Sequence, residues 1–432
     1  MKKNVGKILY NNIARFLSIA KIYISETLYP YIVLFLAVFF VYGIVFANTN
    51  FYLSQHNWFN SYSLQAYRWL QGHLDLGYNF QHLEIALFGG QYWISFPPLP
   101  SIIMLPFVAI LRSPYTPDHF IAMGIFLLVV VYAYKIASSQ IKNKTYAIFF
   151  TLFLCLGTNY LQIAMRGIVW HLAQNLGFLF TLMAIYYGIT KKKWHSFLSL
   201  FFLCAAMGCR PINGIYMPLI ICLILKKEGT EFVPFIKKLL LYSIPAVVLG
   251  SFFLWLNYAR FGNILEFGHN YLPASQSAEF GQFSIMYAQE HLRIMLFRIP
   301  TQLPIFSTMD GMFQPIAIWI ASPIVIIYGV FLVYTVRQKI KYDDFFAILH
   351  LILIPILIVL HLLALASHKD VGGPQFGYRY TLDVLPVMFF GLVTILGKIS
   401  MGKNVLYYSL PLFIIGFAVN VLGTVHAIGV RR

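Results

Sequence analysis

Residues 119–136 read HFIAMGIFLLVVVYAYKI, and between His119 and Lys135 no side chain carries a charge. About 20 helical residues span the ~30 Å hydrocarbon layer of a bilayer, and a surface apolar on every side suits lipid or neighbouring helices rather than water. Similar runs centre on residues 30–47, 146–163, 172–190, 195–209, 212–226, 239–258, 315–336, 345–366, 384–397 and 405–426. The expected fold is therefore an all-α polytopic membrane protein with roughly eleven transmembrane helices in one domain, residues 1–432. The first apolar run lacks a small-residue cleavage site and reads as a retained span, not a signal peptide.

Composition agrees. Of 432 residues 59% are hydrophobic and 10% charged, with a mean hydropathy of +0.73, which excludes a chain of soluble domains and a disordered or fibrous one. The net charge of +17 would suggest a nucleic-acid partner in a soluble protein. Here the cations punctuate apolar runs, so they set topology and no nucleic acid is expected. Cys155, Cys204, Cys209 and Cys222 have no metal-like spacing and read as packing residues.

Basic clusters at 2–21, 135–144, 191–193, 226–238, 337–341 and 398–403 are expected to face the cytoplasm. Alternation then puts 48–118 and 259–314 outside, with the N-terminus cytoplasmic and the chain in the inner membrane. The run 99–111 carries Pro100 and Pro106 and is too short to cross, so it is expected to be a re-entrant or surface-lying helix. On this topology the cytoplasmic segments hold 18 Lys and 2 Arg, and the outer segments 1 Lys and 10 Arg, accounting for all 31. Ammonium is a hydrated point charge sufficient for orientation. Guanidinium binds phosphate and carboxylate with a planar fork and stays charged near low dielectric. An outer arginine-lined anion site is one reading of this partition; snorkelling and local pairing is the other. Only Arg431–Arg432 fits the topology poorly.

Two outer stretches of roughly fifty residues, 48–98 and 259–314, are too long to be mere connectors. Tyr62 to Leu70 mixes aromatic and polar residues as an amphipathic surface helix ending near Gly72. Residues 78–100 read YNFQHLEIALFGGQYWISFPPLP: Gly89–Gly90 predicts a tight turn between two extended pieces, and His82 and Glu84 share a face if the first is a strand. Glu84, beside an imidazole and aromatics, is a candidate general base, or else an exposed acid paired with His82. Arg166 and His171 flank Trp170 between two spans, and Arg210 sits in the Cys209-Arg210-Pro211 hairpin; these are candidates to hold a phosphate. The stretches 258–262 (YARFG), 266–271 (EFGHNY) and 377–380 (GYRY) interleave aromatics with Glu266, His269 and Arg379, as a sugar site requires. Asp383 reads as a helix N-terminal charge in preference to a catalytic acid.

These features resemble the integral-membrane glycosyltransferases of the GT-C fold, the superfamily of the protein O-mannosyltransferases and lipid A aminoarabinose transferases. The matching parts are the first span and long loop, the segment from Gly90 to Pro100, similar to the family's G-x-Y-x-x-x-P-P, the Arg210–Pro211 hairpin and the Gly-Tyr-Arg-Tyr stretch. The resemblance implies transfer of a sugar from a polyprenyl-phosphate donor to an extracytoplasmic acceptor with inversion, in an enzyme needing no metal or other cofactor. The family's acid just after the first span is absent, since residues 51–60 offer His56, Asn57 and Asn60. Glu84 stands in as catalytic base, with Asp75 second. Arg210, Arg379, Arg166 and His171 are expected at the donor phosphate, and His82, Tyr92, Glu266, His269, Tyr271, Tyr378 and Tyr380 at the sugar or acceptor. A transporter or flippase of the same lipid-linked sugar is the alternative.

Overall fold

A computed structural model describes residues 27–229, 231–299, 316–337, 344–370, 372, 377–399 and 404–429. The N-terminal basic cluster, residues 300–315, most of the 337–341 and 398–403 clusters, Gly373 to Phe376 and Arg431–Arg432 lie outside them.

The chain is a helical bundle of the multi-pass membrane type. Among the described residues seven helices are long and apolar enough to cross a bilayer: Tyr29–Asn48, Asp118–Gln140, Val169–Ile189, Phe232–Phe261, Asp344–Ala366, Arg379–Lys398 and Val405–Ile428. That falls short of the eleven expected from apolar runs. Four runs form shorter or interrupted helices instead. His195–Cys209 is one short helix, and Pro211–Tyr216 is a 3-10 turn leading into Met217–Glu228. Lys144–Leu156 stops at Gly157 and resumes as Tyr160–Met165, while Ile318–Ala321 is cut from Ile324–Arg337 at Ser322–Pro323. The two breaks touch, with the Asn159 amide donating to Ser322 Oγ at 3.2 Å. Proline has no amide to continue a helix, and the side chains of Thr158 and Ser322 offer the backbone other partners.

Val169–Ile189 and Arg379–Lys398 are the most enclosed spans, and Phe232–Phe261 the least. The enclosed pair forms the core that positions the polar residues described below.

The long loop 48–118 is folded. Its helix runs Ser61–Leu70, capped by the Asn60 side chain, and buries Tyr62, Gln65 and Ala66. It packs on the helix Leu99–Leu111, where Ser101 Oγ donates to Gln65 Oε1 at 2.7 Å. Thirteen residues reach only about 20 Å, so this second helix is too short to cross. Between the two helices, Ile85–Phe88 and Gln91–Ile94 pair antiparallel with Phe88 opposite Gln91. Gly89 and Gly90 turn between them at φ 59° and 75°, which a side chain disfavours and glycine permits. The strand begins only at Ile85, so His82 and Glu84 lie before it and share no strand face.

Asp118, at the far end of the loop, gathers the residues that follow the first span. Asp118, buried at the head of its helix, accepts from Asn57 N (2.8 Å), Asn60 Nδ2 (2.7 Å) and Thr116 Oγ1 (2.5 Å), and lies 2.9 Å from His56 Nδ1. These contacts fasten the loop to the bundle.

Candidate functional site

A cavity of about 700 Å³ opens where the loop 48–118 meets the bundle. Arg166, Arg210 and Arg379, from three separate stretches, line it together with His171, Glu84, His269 and Tyr380. Most of the remaining wall is apolar, including Phe59, Phe96, Ile168, Trp170, Phe267 and Phe283.

Arg210 follows the last residue of His195–Cys209, where Pro211 turns the chain, and its Nε and Nη2 donate to Asp383 Oδ2 at 3.0 and 2.6 Å. Asp383 is thus an ion-pair partner drawn from a distant span rather than a bare N-terminal charge. Its Oδ1 accepts from Gln174 Nε2 at 2.9 Å, and the same Nε2 donates to the Arg379 carbonyl at 2.7 Å. Arg379 Nε donates to Gly372 O at 2.9 Å. The guanidinium carbons of Arg210 and Arg379 lie 5.2 and 4.7 Å from the centre of the Tyr380 ring, within cation–π range of one aromatic.

Arg166 ends the short Tyr160–Met165 helix and donates to Ala427 O at 3.4 Å. Its neighbour Gly167 donates its amide to His119 Nδ1 at 3.1 Å and packs so closely on Asp118 that a Cβ would overlap the Asp118 backbone. That contact sets Arg166 and His171 against the cavity. Two buried polar groups on the wall, His171 Nδ1 and the Tyr62 hydroxyl, have no hydrogen-bond partner among the described residues. An unmet buried donor or acceptor is costly, and a polar ligand in the cavity would meet it.

Glu84 Oε2 accepts from Trp170 Nε1 at 3.1 Å. The His269 ring reaches the Ser95 carbonyl at 3.4 Å and its centre lies 6.0 Å from that of His368, which also lines the cavity. Burial lowers the pKa of His269 and takes that of His368 down to about 4, so both imidazoles are neutral near pH 7.

The other expected site residues lie elsewhere. Asp75 accepts from Gly77 N at 2.7 Å and sits 3.7 Å from Arg68, closing a local turn. His82 is exposed on the Trp58 carbonyl, and does not pair with Glu84. Tyr92 packs with Leu76 and Ile85 behind the hairpin. Glu266 caps its own loop through Gly268 N and Asn270 Nδ2, both at 2.6 Å. Tyr271 is packed against Phe88 and Phe261, and Tyr378 is wholly buried. None of these six lines the cavity. Local pairing accounts for several of the arginines expected on the outer side. Arg68 faces Asp75, Arg293 pairs with Glu290, and Arg260 bonds Asn257 and the Ile94 carbonyl, tying its helix to the hairpin.

Tyr62, Gln174, His368 and Asp383 were not singled out for the site by sequence reasoning. Gln174 had a detectable signal, since it stands one turn after His171 in a span where polar side chains are otherwise expensive. No family model matches the chain, and no curated protein matches it.

Proposed function

We propose that the chain is a membrane glycosyltransferase of the GT-C type, moving a sugar from a polyprenyl-phosphate donor to an acceptor on the outer face of the inner membrane. The observation that carries this reading is one cavity in which three arginines share the wall with two carboxylates, Glu84 and Asp370, and a largely apolar lining. An amphiphile with an anionic head and an apolar tail fits such a surface, and the space suffices for a sugar beside the phosphate.

In this reading Arg166, Arg210 and Arg379 face the phosphate, with His171 and Tyr62 offering their unmet polar atoms to its oxygens. Glu84 takes the proton from the acceptor hydroxyl. The acceptor oxygen bonds to the anomeric carbon as the bond from that carbon to the phosphate oxygen breaks, and the electron pair leaves with the phosphate. Attack from the opposite face inverts the centre. Guanidinium groups placed in advance stabilise the charge that develops on the leaving oxygen. His269 and Tyr380 remain candidates for the sugar or acceptor; Asp75, His82, Tyr92, Glu266, Tyr271 and Tyr378 are left to structural roles.

Purified protein incubated with radiolabelled polyprenyl-phosphate sugars and a cell-envelope extract should transfer label to an acceptor. Absence of transfer with every donor offered, alongside movement of the donor across liposomes, would instead favour a transporter of the same lipid. The adjoining helix breaks at Gly157–Asn159 and Ser322–Pro323 are the feature that favours that second reading, since transporters use interrupted helices.

A further inference from the structure

We infer that Asp383 and Gln174 are positioning residues that hold Arg210 and Arg379 as one rigid unit toward the anion; this rests on the reading that the cavity takes a phosphate. Asp383 is buried, does not line the cavity, and has both carboxylate oxygens occupied from within the protein. A carboxylate so placed does not meet substrate.

What it does is orient. Arg210 spends Nε and Nη2 on a single oxygen of Asp383, so its plane is set by that edge and the Nη1 side remains for a ligand. The backbone of Asp383 is itself held, its carbonyl accepting from the Tyr216 hydroxyl at 2.9 Å. Gln174 carries the restraint onward: one amide nitrogen spans Asp383 Oδ1 and the Arg379 carbonyl. Tyr380 fills the space against both guanidiniums. Three helices contribute: Gln174 belongs to Val169–Ile189, Arg210 ends His195–Cys209, and Asp383 stands at the start of Arg379–Lys398. A free arginine side chain loses rotamer freedom when it closes on an anion, and prior restraint removes that loss. The unit therefore raises affinity through geometry, although Asp383 brings a negative charge near an anion site.

A thermodynamic cycle tests this on the full-length chain in nanodiscs, titrated with a polyprenyl monophosphate. Arg210→Gln should weaken binding about tenfold, ~1.4 kcal/mol at 25 °C. Asp383→Asn should weaken it comparably, and the double variant should bind within about threefold of the weaker single one, because residues acting as a unit are not additive. A double variant whose loss is the product of the two single losses overturns the inference and leaves the phosphate site standing. If Arg210→Gln alone binds normally, the phosphate reading fails and this inference fails with it. Should Asp383→Asn not fold, Gln174→Met replaces it in the cycle, keeping the side-chain volume while removing the amide. Coupling to Arg210 is again expected and additivity again overturns. A merely structural loss at Asp383 or Gln174 would lower melting temperature without coupling to Arg210 in affinity.

Discussion

Glu84 and Arg379 occupy one cavity wall but have different chemical duties, and substitutions should separate them. Glu84→Gln keeps the shape and the acceptor for Trp170 while removing basicity. Transfer should fall by about 100-fold or more with donor affinity nearly unchanged; full turnover in single-turnover assays would remove the assignment. Arg379→Lys keeps the charge but replaces a planar fork with a point, and donor binding should weaken about tenfold in equilibrium titration. Acidity offers a third reading at this scale. The imidazole of an unfolded chain protonates near pH 6.5, whereas His368 does so at about 4 because burial disfavours its charged form. Between those values the unfolded chain holds more protons, so stability should fall as pH drops through the window and be level above it. His368→Gln should flatten the slope of melting temperature over pH 4 to 6.5; an unaltered slope would show that His368 titrates normally. The arginines were legible because lysine and arginine segregate along the chain. Their buried partners were not: Asp383 lies 173 residues from Arg210, a separation across which no local pattern speaks.

Helices and turns that depend on neighbours in sequence were the legible elements. Gly-Gly flanked by apolar residues produced the hairpin, and the Asn60 cap with its amphipathic run produced Ser61–Leu70. The interruptions were hidden, because Thr158, Asn159 and Ser322 are small polar islands inside apolar stretches: Thr158 turns back on the Leu154 carbonyl, and Asn159 and Ser322 meet across the two breaks. Two of the expected crossings, 146–163 and 315–336, carry such a break, because hydropathy sums over an interruption and reports one long helix. Gly167 belongs to this scale too, since it joins two elements by the absence of a side chain. Gly167→Ala would force a methyl group into the Asp118 backbone, and overpacking of that kind costs about 1–3 kcal/mol. A lowered melting temperature should accompany weakened donor binding as Arg166 is displaced. Wild-type stability in that variant would mean the two elements are not in contact as described.

On the scale of the whole molecule, the cavity joins a folded loop to the most enclosed spans, so its mouth and its floor come from regions far apart in the chain. Glu84 and Arg379 therefore share one end of the bundle, and the proposed chemistry requires that end to face away from the cytoplasm. A thiol placed at Phe283, an exposed residue of the cavity wall, gives a direct probe, because Cys155 and Cys209 are buried and Cys204 bonds the Ala246 carbonyl. In a chain carrying Phe283→Cys, with Cys155, Cys204, Cys209 and Cys222 changed to alanine, a small membrane-impermeant thiol reagent added to intact cells should modify the new thiol. A polyprenyl monophosphate added to the purified protein should slow the same reaction, since ligand and reagent compete for one space. Labelling confined to inverted membrane vesicles would place the cavity on the cytoplasmic side, where an extracytoplasmic acceptor never arrives, and the glycosyltransferase reading would fall even if the arginines bind phosphate. Labelling from outside with no protection by the lipid would leave the orientation intact and remove the lipid phosphate from the cavity.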